Sequence, residues 1–388
     1  NNYARSAKKS SRIDSNTFIN EVSEDIAKLK GRIDGLEVKQ NNYEAGSFSD
    51  TTSLDGKAVF TVGSLDTDDD AYTGQVLAEY MYQMNLNTSF SGDDNLYIRL
   101  KSGNADSWSD TKNVYNGYLS AAKGNFDYLK VDKIWYTMPV GERNTIWIGP
   151  QIENYYMHAT TPSIYKSVLK AFSLGGNAAA YGASTSPGAG WAYEADNGFA
   201  ISSNFTTQDG EDTGGMLTDE PTSWATQVGY TQPQYAISAI LNMKYNGWTD
   251  SYFMTTDGTA RPGDGNSTNV GLRGWWRPES TGTATPSISV GYDTSETDAT
   301  GNSNTTAYFV GLTWQDIFNA DDRIGIAFGQ PQKHEDDTVD PFLYEVYYDY
   351  KVNDSVTVTP AIFGGTSKNA SGAEVDMTGG LISTTFKF

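Results

Sequence analysis

The sequence has no cysteine and only two histidines in 388 residues. The first absence removes disulfides, thiolate metal sites and cysteine nucleophiles, and it is compatible with the oxidising cell envelope without fixing the compartment. His158 and His334 both fall in links between periodic segments, where an isolated histidine is ordinarily a solvent-exposed bystander. No run of apolar residues is long enough for a spanning helix, and the mean hydropathy is −0.51. Lys and Arg number 27 against 48 Asp and Glu, a net charge of −21. Nucleic acid is therefore not expected as a partner, because phosphate binding needs clustered cations. No hydrolase, P-loop, dinucleotide or zinc signature stands in its required strand and helix context, so neither an enzyme nor a cofactor or metal is expected. Asp66-Thr-Asp-Asp-Asp70 opens like a calcium loop. Ala71 replaces the needed Gly, however, and Leu77 stands at the position of the bidentate Glu. The stretch reads as a solvated charge run, with weak divalent binding left open.

What is abundant is glycine (39), tyrosine (25), phenylalanine (16) and tryptophan (9). That mixture suits a chain of many turns with belts of aromatics. A membrane barrel needs apolar residues only at alternate positions, so low hydropathy does not argue against one. From Lys57 onward the pattern has period two. Ala58, Phe60 and Val62 alternate with Lys57 and Thr61; Leu96, Ile98 and Leu100 with Tyr97, Arg99 and Lys101; Tyr235 to Met243 with Ser238, Asn242 and Lys244. Further on, Val270 and Leu272 oppose Arg273, Tyr344, Val346, Tyr348 and Tyr350 oppose Glu345, Asp349 and Lys351, and Val356, Val358 and Ile362 oppose Thr357 and Thr359. Such runs amount to roughly sixteen strands, an even number as single-chain bacterial barrels require. Only the segments 125–138 and 143–152 alternate poorly. In the final stretch Ile382, Thr384, Phe386 and Phe388 share one face, and Ser383, Thr385 and Lys387 the other. As the last strand of a soluble sandwich it would leave two phenylalanines on an exposed edge. In a closing barrel strand they join an interfacial aromatic girdle.

The links decide between these. Short ones at 91–93, 139–142, 196–197, 231–233, 278–284, 316–321 and 353–354 alternate with longer ones at 64–74, 104–124, 153–186, 207–221, 247–267, 294–303, 331–341 and 364–376. Tight periplasmic turns on one rim and extracellular loops on the other produce this order, and a soluble sandwich has no reason to keep it. The fold class expected is all-β, a transmembrane antiparallel barrel over 41–388. Before it, residues 1–16 read as a polar linker and 17–40 as a helix in which Ile19, Val22, Ile26, Leu29, Ile33 and Leu36 form an a/d seam. One amphipathic helix lying on its own domain fits that seam, and so does a coiled coil. Its isolation favours self-association, and Ile at a positions favours a trimer. No signal peptide opens the sequence at Asn1, as expected of a processed or trimmed chain.

Val131-Asp-Lys-Ile-Trp-Tyr-Thr-Met-Pro-Val-Gly141, Ser287-Ile-Ser-Val-Gly-Tyr292, Tyr308-Phe-Val-Gly-Leu-Thr-Trp314, Gly325-Ile-Ala-Phe-Gly-Gln-Pro331, Tyr344-Glu-Val-Tyr-Tyr-Asp-Tyr350 and Val356-Thr-Val-Thr-Pro360 resemble segments of the cyanobacterial outer-membrane porins. Those porins are related to the carbohydrate-selective and iron-uptake porins, and the similarity runs from about Leu29 to Phe388. The resemblance implies a sixteen-stranded barrel in the outer membrane, in contact with lipid and lipopolysaccharide. In that family an S-layer homology domain ahead of the coiled coil anchors the porin to peptidoglycan or its linked polysaccharide. Peptidoglycan is therefore expected as a partner only through an upstream domain that these residues do not contain.

Passage through such a barrel is governed by charge. By parity Glu79, Arg99, Lys101, Lys130, Lys244, Arg273, Arg277, Arg323, Glu345 and Asp349 mostly project to the lumen, while Asp66, Asp68, Asp69, Asp70, Asp209, Glu211, Asp212, Glu335, Asp336, Asp337 and Asp340 crowd the outer mouth. The luminal cations either set selectivity or merely pair with nearby carboxylates. The longest link carries Ile164, Val168 and Phe172 at helical spacing; it is expected to fold into the lumen, with Lys166 and Lys170 at the narrowest point and its apolar face on the wall. A passive, trimeric diffusion channel for small hydrophilic solutes and inorganic ions is the function expected. The rivals are a channel preferring carbohydrate or iron, for which Tyr97 and Trp275 are weak aromatic candidates, and a plugged barrel tethering the outer membrane to peptidoglycan.

Overall fold

The computed structural model describes residues 51–68, 74–110, 117–176, 179–182, 185–208, 210, 215–216, 220–248, 265–298, 304–335, 337–368 and 373–388. The expected linker, coiled-coil helix and Asp69, Asp70, Asp209, Glu211, Asp212 and Asp336 lie outside them. Two compact units divide the chain, Asn1–Leu54 and Asp55–Phe388, and the second holds nearly all of the sheet.

The described residues form sixteen strands: β1 (Thr52–Thr67), β2 (Val76–Thr88), β3 (Asn95–Gly103), β4 (Lys130–Val140), β5 (Asn144–Ile152), β6 (Ser186–Glu194), β7 (Phe199–Thr207), β8 (Thr222–Gln232), β9 (Tyr235–Tyr245), β10 (Ser267–Trp276), β11 (Ser287–Thr297), β12 (Thr305–Gln315), β13 (Arg323–His334), β14 (Phe342–Lys351), β15 (Val356–Lys368) and β16 (Glu374–Lys387). Each pairs with its sequence neighbours, and β1 closes on β16 in antiparallel register from Lys57 opposite Lys387 to Thr67 opposite Met377. Closure satisfies every strand edge, which a membrane interior demands. The terminal phenylalanine is part of it: the Gly56 amide donates to the Phe388 carbonyl at 2.9 Å, and the Phe388 ring stacks on Tyr82 at 6.0 Å.

Alternation becomes two surfaces. Ile237, Leu272, Ile362 and Ile382 are each more than half exposed on the outer face. Water would oppose that by roughly 25 cal/mol per Å² of apolar surface, and acyl chains do not. Inward rows carry small or polar side chains, such as Ala225, Gln227 and Gly229 on β8 and Ala236, Ser238 and Asn242 on β9. The two segments with poor alternation are β4 and β5, where register shifts between Arg99 and Leu100, between Ile134 and Tyr136 and between Gly149 and Ile152 break the period. The bulge turns the consecutive Asp132 and Lys133 both inward, against Arg99 and Glu153.

Turns and loops occupy opposite rims. The turn at 89–94 and that at 316–322 use one device: the carboxylate of Asp94 accepts from the amides of Phe90 and Ser91, that of Asp322 from Ile317, Phe318 and Asn319, and each takes a tyrosine hydroxyl from the next strand, Tyr136 at 2.6 Å and Tyr348 at 2.8 Å. The Tyr136 hydroxyl, followed by the Ser91 amide, holds the Asp94 carboxyl well below the usual carboxylate range. Phe90 and Phe318 are left exposed on that rim, beside the membrane interface.

Candidate functional site

The link between β5 and β6 runs through the barrel interior. It leaves β5 at Glu153, whose carboxylate pairs with the buried Lys133 and accepts from Thr185 at 3.2 Å. Burial works against ionisation of Glu153, but the Lys133 ammonium in contact with it outweighs that and keeps its carboxyl below the usual range. His158 comes next, with Nδ1 2.9 Å from the Ser202 hydroxyl and Nε2 3.3 Å from Asn204, and burial pushes its pKa down to about 3. It is a neutral hydrogen-bonded bracket and not a solvent-exposed residue. The Thr160 amide and carbonyl both bond Gln227, Trp275 donates to the Thr161 carbonyl at 3.0 Å, and the Ile164 amide donates to Ser289 at 3.2 Å.

Glu345, on β14, ends that outward run. Its carboxylate accepts from the Tyr165 hydroxyl at 2.9 Å, the Val168 amide at 3.0 Å and the Leu169 amide at 2.6 Å, and the side chain is wholly buried. The chain then returns. Arg273 donates to the Leu174 carbonyl at 2.9 Å, Asn242 to Ala180 at 3.1 Å, and Lys244 to Ala179 and Gly182 at 2.8 and 3.0 Å. Backbone approaches wall so closely that a Cβ on Gly291 would stand 1.8 Å from the Gly175 carbonyl oxygen, and one on Gly229 2.1 Å from the Thr160 hydroxyl. Helical spacing at 163–172 does not yield a helix. The amides of Ile164, Val168 and Leu169 are spent on the wall, and only short 3₁₀ turns form within Lys170–Gly175, broken at Ser173 and Leu174.

A second link, between β3 and β4, joins it. Leu119 bridges Leu169, the Lys170 amide donates to the Tyr118 carbonyl, and the Ser120 amide to that of Val168. Trp108, Leu119, Tyr165, Leu169 and Phe172 pack with Phe309, Leu343, Tyr347, Phe363 and Leu381 of the wall into one apolar cluster. One side of the interior is therefore filled like a protein core. What remains open lies beside the cluster: a cavity between the links and parts of β1, β14, β15 and β16, and the half-buried stretch around Tyr97 and Arg99 of β3.

That remainder is basic. Arg99 pairs with Asp132, which also receives Lys123 at 3.5 Å, and Lys101 and Lys170 lie in the same field. Nearer the turn rim, Lys166 stands beside Arg323, Lys387 and Lys351, with Asp349 the one carboxylate; the charge of Arg323, then burial, pushes the Lys166 pKa down. Asp349 is occupied by Arg323 at 3.3 Å and the Thr359 hydroxyl at 2.7 Å.

The charges read by parity thus separate. Glu79, Arg99, Lys101, Arg323 and Asp349 are half-buried inside, Glu79 accepting from Ser109. Lys244, Arg273 and Glu345 point inward but do not face the passage: each is sealed under the long link, Arg273 with Asp293 at 2.7 Å. Lys130 is exposed where β4 begins, outside the cluster. Arg277 stands beyond the end of β10, over the Trp275 ring at 5.7 Å, with its Nε on the Pro233 carbonyl. Trp275 itself is buried beneath the link. At the loop rim Asp66, Asp68, Glu335 and Asp340 are exposed and Asp337 is half-buried; Asp340 pairs with Lys333. Parity misses Asp132 and Lys133 because of the bulge, and Lys123 because it lies in a link. Lys57, Lys351 and Lys387 obey parity and join the interior set, although no motif in the sequence marks them.

Known proteins share this architecture. A loop-deletion form of OmpT, an outer membrane protein of Vibrio cholerae, superposes with a TM-score of 0.55 at 14% identity over 87% of this chain and 99% of that one. A mutant Rh. blastica porin gives 0.54 at 12% identity over 87% and 100%. An uncharacterized protein of Nostoc sp. (strain PCC 7120), alr4550, is 24% identical over 95% of this chain and 71% of that protein. The sequence model of the carbohydrate-selective porin, OprB family, matches residues 10–363. The chain belongs to that family, and the closed barrel with its polar interior is an outer-membrane channel for the passive diffusion of small hydrophilic solutes.

Proposed function

We propose that the passage is narrowest between the inward link 153–185 and the wall of β1–β3, and that its basic lining favours anions. The observation that carries this reading is the distribution of partners. Arg99 and Lys123 share one carboxylate, Arg323 occupies Asp349, and Lys57 and Lys166 make no ion pair among the described residues. Unpaired cations in a narrow, partly dehydrated passage attract anions more strongly than they would in bulk water. The turn rim faces the periplasm in this reading, the N-terminal helix 17–40 lies there, and the barrel assembles as a homotrimer bathed by lipid and lipopolysaccharide. The seam from Ile19 to Leu36 supports the trimer, as does the trimer form in which the Vibrio cholerae OmpT structure is described.

A carbohydrate preference has its own support in the family's description and in one row of rings. Tyr97 contacts Trp135 at 4.3 Å between centroids, Trp135 contacts Tyr156 at 4.9 Å, and the Tyr156 hydroxyl receives Arg99. Tyr97 is half-exposed to the open side and can stack a sugar face. Planar-bilayer recording of the purified protein in a potassium chloride gradient tests both readings. Discrete steps in groups of three with an anion-signed reversal potential are expected, and glucose should not block. A cation-signed potential would overturn the anion reading, block by glucose would favour the sugar reading, and silence from folded protein would leave a plugged tether.

A further inference from the structure

Beneath the inward link, toward the turn rim, lies a cavity of about 230 Å³. Two walls of different origin supply it with ammonium groups: Lys57 from β1 and Lys166 from the link. Hydroxyls of Ser167, Ser383 and Thr385 border it beside the apolar Val59, Leu119, Val168 and Leu381; Ser167 shares a hydrogen bond with Ser120 at 3.1 Å and Ser383 one with Thr61 at 2.8 Å. Asp349 also reaches the cavity, but Arg323 and Thr359 already occupy its carboxylate. Two cations with no ion-pair partner among the described residues face each other across a space bordered by hydroxyl donors. The volume is several times the ~30 Å³ share of one water, too roomy for a bare halide and adequate for a tetrahedral oxoanion with its remaining water. Doubly charged phosphate can take a charge-assisted hydrogen bond from each lysine and further ones from the hydroxyls at once.

We infer that this cavity is a binding site for a phosphate dianion, seated between Lys57, Lys166 and the Ser383–Thr385 edge of β16. The inference rests on the anion reading above and narrows it to one site and one charge type. The apolar cluster behind Leu119 and Val168 fixes the backbone from which Lys166 extends, and Lys57 extends from β1, which is paired to β16 from that residue onward, so the two lysines are presented from anchored chain on opposite walls.

The test records chloride current through purified channels while inorganic phosphate is added at about pH 8, where the second proton is off. Phosphate is expected to reduce the current in a saturable way, and less so at about pH 6 where the monoanion gains ground. Lys166→Glu and Lys166→Met, on an exposed part of the link, should each raise the half-blocking phosphate concentration by roughly tenfold or more, the worth of one charge-assisted contact. Lys57→Gln should do the same, while Lys333→Gln, remote and paired with Asp340, should not. Anion preference without saturable block overturns the site and leaves the anion reading standing. Block that survives all three variants places the phosphate elsewhere and also overturns it. Loss of anion preference in the unaltered channel removes the ground beneath both.

Discussion

A wholly buried carboxylate with no cation pairing it among the described residues is costly unless other donors replace its water, and Glu345 has three such donors, all from the inward link. Glu345→Ala would leave one hydroxyl and two amides without their acceptor, a loss of about 3 kcal/mol or more. The link should loosen at Val168–Leu169, and single-channel records should turn noisy with a higher mean conductance. Glu345→Gln keeps the shape and part of the bonding, so its effect should be smaller. His158 gives a pH dependence of definite sign. Its folded pKa of about 3 lies below the ordinary 6.5, so between those values the unfolded chain takes up a proton that the folded chain refuses. Stability contributed at neutral pH is therefore lost as pH falls from 6.5 toward 3, at up to roughly 1.4 kcal/mol per pH unit. Denaturation of the unaltered protein and of His158→Gln should diverge across that window and run parallel above it. Parity tells which side of β14 holds Glu345, since it alternates with Tyr344 and Val346. Parity has no means of telling what covers that side, and the cover converts a luminal charge into an anchor.

At the scale of elements, strands and links are legible to different degrees for a physical reason. A strand facing lipid on one side and polar interior on the other must alternate, so β9, β10, β14 and β16 announce themselves. β4 and β5 do not, because their bulges reverse parity mid-strand and admit Trp135 and Trp147 to the interior. The link's length and apolar spacing suggest its inward course. Its non-helical path is hidden, since its partners are side chains on β7, β8, β9, β10, β11 and β14, distant in sequence. Removing residues 160–175 would open the filled side of the barrel and strip the cover from Phe309, Leu343 and Phe363. Conductance should rise several-fold, because the cross-section is then set by the wall. The closed hydrogen-bonded ring does not depend on the link, so strand content by circular dichroism should hold. An unchanged conductance would mean that the link does not limit the passage. A milder version of the same change is Gly291→Val, which places methyl groups where the Gly175 carbonyl now lies and forces the link off the wall.

For the whole molecule the net charge of −21 and the basic interior act on an ion in sequence. An anion approaching the loop rim first meets Asp66, Asp68 and Glu335, then the field of Lys101, Lys123 and Lys170, then Lys166 and Lys57. The outer carboxylates are exposed, and salt screens them over about 8 Å at physiological strength and about 3 Å at 1 M. Apart from the exposed Lys166, the inner cations are half-buried between low-dielectric walls, where screening ions reach them less freely. Raising ionic strength should therefore weaken the mouth more than the constriction. In symmetric dilution series with a fixed gradient ratio, the reversal potential should move toward greater anion preference as salt rises from about 0.05 to 1 M, the reverse of the loss of selectivity that screening causes in a channel controlled by its interior alone. Neutralising Asp66, Asp68 and Glu335 together should shift the low-salt potential toward the high-salt value and leave the latter unchanged. A potential that merely decays toward zero with salt would show that the mouth contributes nothing and that a single screened ring governs passage.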